Sequence, residues 1–349
     1  SKELLARSRI RVGPRRRVSV YAIPTLILAI AVVVVLVAYM RSGQREAEGA
    51  QIPIAVADFE NTTGEGGLDG LSGMLITALE QSRRLSVLTR SSMFDVLQQL
   101  GRHDIDYIDE QLGRDVCAEA NVRVLVVASI RKFDELYTID LKAYEIGRPA
   151  HLFTAREEGT GRASIPGMID RIAQKTRKGL KENTAHIQRT SERVADVTTP
   201  NLEAYQEFFR GEQLIDKLEF KKARKTYQTA IELDSTFALA HYRLAYANWW
   251  GGESEEIQRA QLQKAMDHVD RLPEKFRFLL RAQIAVNEDG YEQGIEVLKA
   301  MELIYPDDKE MIYNIGDFSF HAKQFEQAEE YLLRFLAMKP NSQRALQHL

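Results

Sequence analysis

A run of uncharged, largely aliphatic residues, VSVYAIPTLILAIAVVVVLVAYM from Val18 to Met40, dictates how the rest of the chain can be arranged. A helix of this length spans a hydrocarbon core of about 30 Å with room for tilt. A buried Val-rich strand would stop after about eight residues, so length separates the two readings, with a buried core helix as the alternative. Tyr21 and Tyr39 fall near the two ends, where aromatic rings favour the headgroup boundary. Pro24 lies early in the run, where a missing N–H costs least.

The flanks give the span a direction. Lys2, Arg7, Arg9, Arg11, Arg15, Arg16 and Arg17 precede it against the single acid Glu3, whereas Arg41 and Arg45 behind it are offset by Glu46 and Glu48. The positive-inside bias places residues 1–17 in the cytoplasm and everything after Arg41 across the membrane. A cleaved signal peptide is the competing reading. Its apolar core runs only about 7–15 residues before a small-x-small site, and Val37-Ala38-Tyr39-Met40 matches that poorly. The basic cluster would also suit anionic lipid or nucleic acid, but beside a span it reads first as a topology signal.

The formal net charge of −3 hides this asymmetry: the first seventeen residues are basic and the remainder is acidic. That argues against nucleic acid as the partner of the outer part. Cys117 is the only cysteine, which excludes an intrachain disulfide. The length suggests two to three domains. The chain opens at Ser1 and stops at Leu349 within a repeating pattern, so a fragment of a longer protein is expected.

Residues 41–51 read as a polar linker and residues 52–189 as a mixed α/β layer domain. IPIAVADF gives a first strand, followed by the turn-rich loop Asn61–Gly70 and a helix with Leu71, Met74, Leu75, Ala78 and Leu79 at helical spacing. Leu85–Thr89 is a second strand. Ser92 is the expected N-cap of the helix MFDVLQQL, and 108–120 a third helix. VRVLVVASI has the continuous apolar character of a strand covered on both faces. LYTIDLKAY alternates strictly, and Gly147-Arg-Pro149 turns it into HLFTAREE, a hairpin partner. Residues 165 to about 189 are expected to be helical, and 190–200 a second linker.

Residues 201–349 are repetitive. Pro306 and Pro340, each following a helix, lie thirty-four residues apart. Gly211, Ala245, Ala282 and Gly316 occupy the small-residue position of a first helix, and Ala223, Gly294 and Ala328 that of a second. Tyr227, Leu298 and Leu332 fill the space beside them. This period resembles the tetratricopeptide repeat (TPR), with repeats at 204–237, 238–274, 275–308 and 309–342 and a truncated fifth. Arg210 and Arg281 stand where the repeat usually has Leu, so those hairpins are expected to pack differently.

The segment IAVADFENTTGEGGLDGLSGMLITALEQSRRLSVLTRSS, followed by LGRDVCAEANVRVLVVASI and the alternating strand, resembles the TolB amino-terminal-like domain over roughly residues 52–185. That resemblance implies a layout of bacterial single-pass membrane signalling proteins, in which such a domain stands beside TPR repeats. Those proteins often carry a serine/threonine kinase, nucleotide cyclase or DNA-binding domain ahead of the span. A related fold in curli-secretion and flagellar lipoproteins implies a third possibility, a subunit of an envelope secretion or filament assembly. Those lipoproteins need a lipid-anchored first cysteine, which Cys117 cannot be.

No catalytic, cofactor or metal constellation emerges. The Gly64–Gly70 loop lacks the Gly-Lys-Ser/Thr of a phosphate loop and reads as a strand–helix connection. Histidines 103, 151, 186, 241, 268, 321 and 348 show no pair at metal-ligand spacing. Cys117 is expected to be a buried packing thiol, and Trp249 and Trp250 hairpin core. The fold class is therefore multidomain: one transmembrane helix, an α/β domain and an all-α TPR solenoid. The expected function is that of a membrane-anchored, periplasmic scaffold or sensory module. A protein or peptide partner would lie on the concave solenoid face, with Tyr205, Phe209, His241, Asn248, Asn314 and Asp317 as contact residues by repeat register. The alternative is the sensory half of a kinase or cyclase whose catalytic domain lies outside this chain. Alkaline phosphatase fused after Gln51 is expected to be active and a fluorescent protein dark at the same junction; the opposite pair of results overturns the orientation.

Overall fold

The computed structural model describes residues 51–349, except 104, 149 and 341. The apolar run 18–40 and its basic flank lie outside the described residues. Among the described residues, no helix is long and apolar enough to cross a membrane.

Strands β1 (Ile52–Val56), β2 (Glu60–Asn61), β3 (Leu85–Leu88), β4 (Val124–Phe133), β5 (Leu136–Glu145) and β6 (His151–Thr160) form one mixed sheet. Its order is β3-β1-β4-β5-β6, with β2 beside the far half of β4. β1 runs parallel to β3 and β4, and β4, β5 and β6 form an antiparallel meander. Side chains alternate between faces. Ile54, Val56, Val124, Val126 and Ala128 point to the side holding α1 (Leu71–Glu80) and α4 (Ile165–Gly179). Ala55, Ala57 and Leu125 point to the side holding α2 (Arg90–Gln99) and α3 (Glu110–Glu119), where Met93, Leu97, Val116 and Cys117 meet them. β1 and the first half of β4 are apolar because both of their faces are covered, whereas β4 turns polar at Arg131 and Lys132, where burial ends. β5 alternates because only its Tyr137, Ile139, Leu141 and Ala143 face is buried against the core. On edge strand β6, the carbonyls of Arg156 and Glu158 accept hydrogen bonds from Lys175 and Arg171 of α4 at 2.6 and 3.3 Å.

Local corrections have physical causes. Thr89, not Ser92, caps α2: directly after β3 it keeps an extended conformation, and its hydroxyl accepts the Ser92 N–H at 3.2 Å. The helix expected over 165–189 is two helices, α4 and α5 (Thr184–Thr190), separated at Lys181, which has φ of 66°. The break lets Glu182 turn inward to Arg177 at 2.6 Å and accept from Ser82 at 2.6 Å. Burial alone would push the Glu182 carboxyl up, but Arg177 and Ser82 outweigh it and hold it below the usual range. The segment read as a linker over 190–200 contains α6 (Val194–Val197), and Val194, Val197, Thr198 and Thr199 are buried. The connection between sheet and repeats is thus part of the core.

Helical hairpins follow: α7 (Leu202–Asp216) with α8 (Phe220–Leu233), α9 (Ala238–Trp250) with α10 (Glu255–Asp267), α11 (Glu274–Glu288) with α12 (Tyr291–Glu302), and α13 (Lys309–His321) with α14 (Phe325–Met338). Helix α15 (Gln343–His348) comes last. The hairpins close where one helix offers no side chain: a methyl on Gly211 would lie 2.4 Å from the ring of Tyr227. Arg210 avoids that seam, is exposed and pairs with Glu207 at 2.8 Å. The tryptophans divide. Trp250 packs near Phe220 under the Arg344 guanidinium at 4.3 Å, whereas Trp249 is 53% exposed, contrary to the expectation of hairpin core. It immediately precedes Trp250 on the helix and so faces another way.

Arg177 is 1% exposed and has Glu182, Thr190 and Ser191 as acceptors. Replacing one member of a buried ion pair strands the other. Arg177→Met is expected to cost about 3–5 kcal/mol in denaturant unfolding, and Arg177→Met with Glu182→Leu to recover most of it. A single variant as stable as wild type would contradict this role.

Candidate functional site

The site arises where α1 meets the first repeat. A methyl on Gly73 would lie 2.8 Å from the Tyr205 hydroxyl and 3.3 Å from the ring of Phe209, so a larger residue here would push α7 away. Tyr205 and Phe209 are buried there, and burial pushes the Tyr205 hydroxyl's pKa up. Across this contact one apolar cluster runs from Ile54 in the sheet to Ala345 in α15.

Beside it lies a cavity of about 240 Å³. Its walls come from α1 and α2 on one side and from the first helices of the hairpins, α7, α9, α11 and α13, with Arg344 of α15, on the other. The lining is strongly charged. Asp95 of α2 is buried and receives Lys309 at 2.5 Å and Lys339 at 2.6 Å. Glu80 of α1 meets Lys275 at 2.7 Å, and Asp308 stands 3.4 Å from the same ammonium. Burial works against the charged Lys275, but Glu80 and Asp308 outweigh it and push its pKa up. Arg243 of α9 bridges Glu212 of α7 at 2.9 Å and Glu310 of α13 at 3.3 Å, tying three hairpins together. Arg90 forks onto Asp58 with two 2.9 Å bonds and stacks 5.0 Å from the Phe209 ring. Further ion pairs join the two modules at the rim: Arg277 to Glu192 at 3.1 Å, Arg162 to Glu203 at 3.4 Å, and Lys217 to Asp106.

Asp216 of α7 also lines the cavity. Burial, aided by Glu212 and opposed by Arg90 and Ser91, pushes its pKa up to about 6. By contrast, Cys117 sits among apolar neighbours of α2, α3 and β4, and burial pushes its thiol up to about 12, an inert packing group.

The residues singled out from the repeat register divide into three groups. Tyr205, Phe209 and Asn314 line the cavity. His241 and Asn248 are buried within the repeats, with His241 hydrogen-bonded to Gln261 at 2.8 Å and to the Ser235 carbonyl at 3.1 Å. Asp317 lies one turn beyond Tyr313, among histidines. Sequence reasoning missed Lys275, Lys309 and Asp95, which form the charged seam. A signal existed for two of them: Lys275 and Lys309 stand in the first turns of α11 and α13, where the helix dipole disfavours a cation.

An α/β sheet module clasped by a run of helical hairpins defines the class. The family model described as "TPR repeat" matches residues 211–250, so the chain contains TPR sequence across the first two hairpins. Comparison with curated proteins finds no match. Among solved structures, the LpoB C-terminal domain from Salmonella enterica is similar at 12% identity and a TM-score of 0.29, covering 34% of this chain and 91% of that one. The APC/C hetero-tetramer Cut9-Hcn1 is similar at 17% identity and a TM-score of 0.29, covering 40% of this chain and 26% of that one.

The raised Asp216 pKa sets a pH dependence. The folded state binds this proton more tightly than the unfolded chain, so stability falls as pH rises from about 4 to about 6. Allowing for its half-buried position, Asp216→Asn is expected to stabilise the protein by about 1 kcal/mol at pH 8. The gain should shrink through pH 6 and vanish near pH 4 in chemical denaturation; a gain independent of pH would refute the assignment.

Proposed function

We propose that this protein is a membrane-anchored scaffold whose repeats receive a protein or peptide partner on the face built by their first helices. TPR repeats suit a protein-binding role, and the observation that supports this face is the cavity shared by α7, α9, α11 and α13 with α1 and α2. Its walls offer both signs of charge beside the aromatic rings of Phe208, Tyr246, Phe276 and Tyr313. Such a lining suits a short polar segment with an aromatic or aliphatic anchor.

In this reading residues 18–40 hold the chain in the inner membrane of a bacterium, residues 1–17 stay in the cytoplasm, and both modules work on the periplasmic side. The α/β module forms the second wall of the partner site. The apolar contact between α1 and α7 holds that wall in place beside the charged lining.

A photo-crosslinking residue at Asn314, on the cavity wall, tests the reading against the same residue at Leu303, which is 88% exposed elsewhere. Adducts with a second protein are expected from position 314 in living cells and not from 303. Adducts from 303 alone would move the partner to another face.

A further inference from the structure

At the far end of the repeats, α15 brings a histidine against two side chains of α13. Asp317 and His321 stand four residues apart on one face of α13, and His348 comes from the last turn of α15. The Asp317 Oδ1 lies 3.4 Å from His348 Nδ1 and 3.9 Å from His321 Nε2, and the candidate ligand atoms all lie within 4.8 Å of one another.

We propose that Asp317, His321 and His348 form a binding site for a divalent transition metal, which fastens α15 to α13. Two ligands about 2.1 Å from one ion at a tetrahedral angle stand about 3.4 Å apart, the separation found between Asp317 and His348. His321, whose ligand atom lies within 4.8 Å of the other two, needs to close in by up to roughly 1.4 Å to join them, and its half-exposed side chain leaves that freedom.

The surroundings favour a cation. His348 Nδ1 is buried without a hydrogen-bond partner, and it faces the carboxylate. The Tyr313 hydroxyl donates to Asp317 Oδ1 at 3.4 Å, an outer-shell contact that orients the oxygen. Aromatic walls hold the two imidazoles: Tyr291 stacks on His321 at 5.2 Å and Phe320 lies 4.5 Å from His348. Two imidazoles and one carboxylate suit zinc, cobalt, nickel or ferrous iron rather than calcium or magnesium, and leave coordination positions for water.

The test is titration of the chelator-stripped full chain near neutral pH, with zinc followed by calorimetry and cobalt by its visible bands. A single ion per chain with micromolar or tighter affinity is expected, with cobalt bands unlike those of the hydrated ion. His321→Ala, His348→Ala and Asp317→Asn should each weaken binding by at least about tenfold, and the exposed His103→Ala should not. Zinc should raise the thermal midpoint of wild type and leave that of His348→Ala unchanged, which guards against a variant that merely folds less well. Binding weaker than millimolar, a hydrated-cobalt spectrum, or equal affinity in the His348 variant would reduce the cluster to Asp–His ion pairing and overturn the site.

Discussion

The bare face of α1 at Gly70 and Gly73 is the constraint on which the joined architecture rests. Phe209 and Tyr205 settle there so closely that a methyl on Gly73 would lie 2.8 Å from the Tyr205 hydroxyl and one on Gly70 3.1 Å from Phe209. Through this contact the core of the sheet continues into the first repeat, and α6 seals the junction with Val194, Val197, Thr198 and Thr199. A superhelix of hairpins would otherwise be free to swing about residues 190–200. Here the packed connection and the glycine seat fix where the first hairpin begins, and each later hairpin stacks on the one before it.

The charged seam serves alignment more than adhesion. Two lysines converge on Asp95 and one lysine sits between Glu80 and Asp308, all in places poorly reached by water. Removing such groups from water offsets much of their mutual attraction. What remains is directional: a hairpin displaced by one turn would leave Asp95 or Lys275 buried without a counterion. Arg243 extends the same logic across the repeats by touching Glu212 and Glu310 from the helix between them.

The sheet and the repeats were legible in the sequence because both announce themselves by period. The two-sided apolar run 122–130 and the alternation over 136–144 specify a covered strand and a half-covered one. Small residues such as Gly211 and Gly316 mark helices that cross closely. What the sequence hid is where the modules meet. The repeat register places Tyr205 and Phe209 among the partner contacts, and in the structure they line the cavity and also rest against α1, a contact the register does not show. His241 was read likewise, yet both its nitrogens are used inside the repeats. The spacing of His321 and His348 carries no motif, because helix packing rather than local sequence brings them together. Thr89 displaced Ser92 as a cap because both precede a helical run, and only the end of β3 decides between them.

The outer border of the meander has a consequence for how such molecules live at high density. A bare strand of ten residues is a template on which a second chain could lengthen the sheet. Along β6, Lys175 and Arg171 already occupy the oxygens of Arg156 and Glu158. A newcomer would have to evict both cations before its own amides could bond there. Copies crowded side by side therefore meet a blunted margin, and fibrous growth through this flank is discouraged from within each molecule.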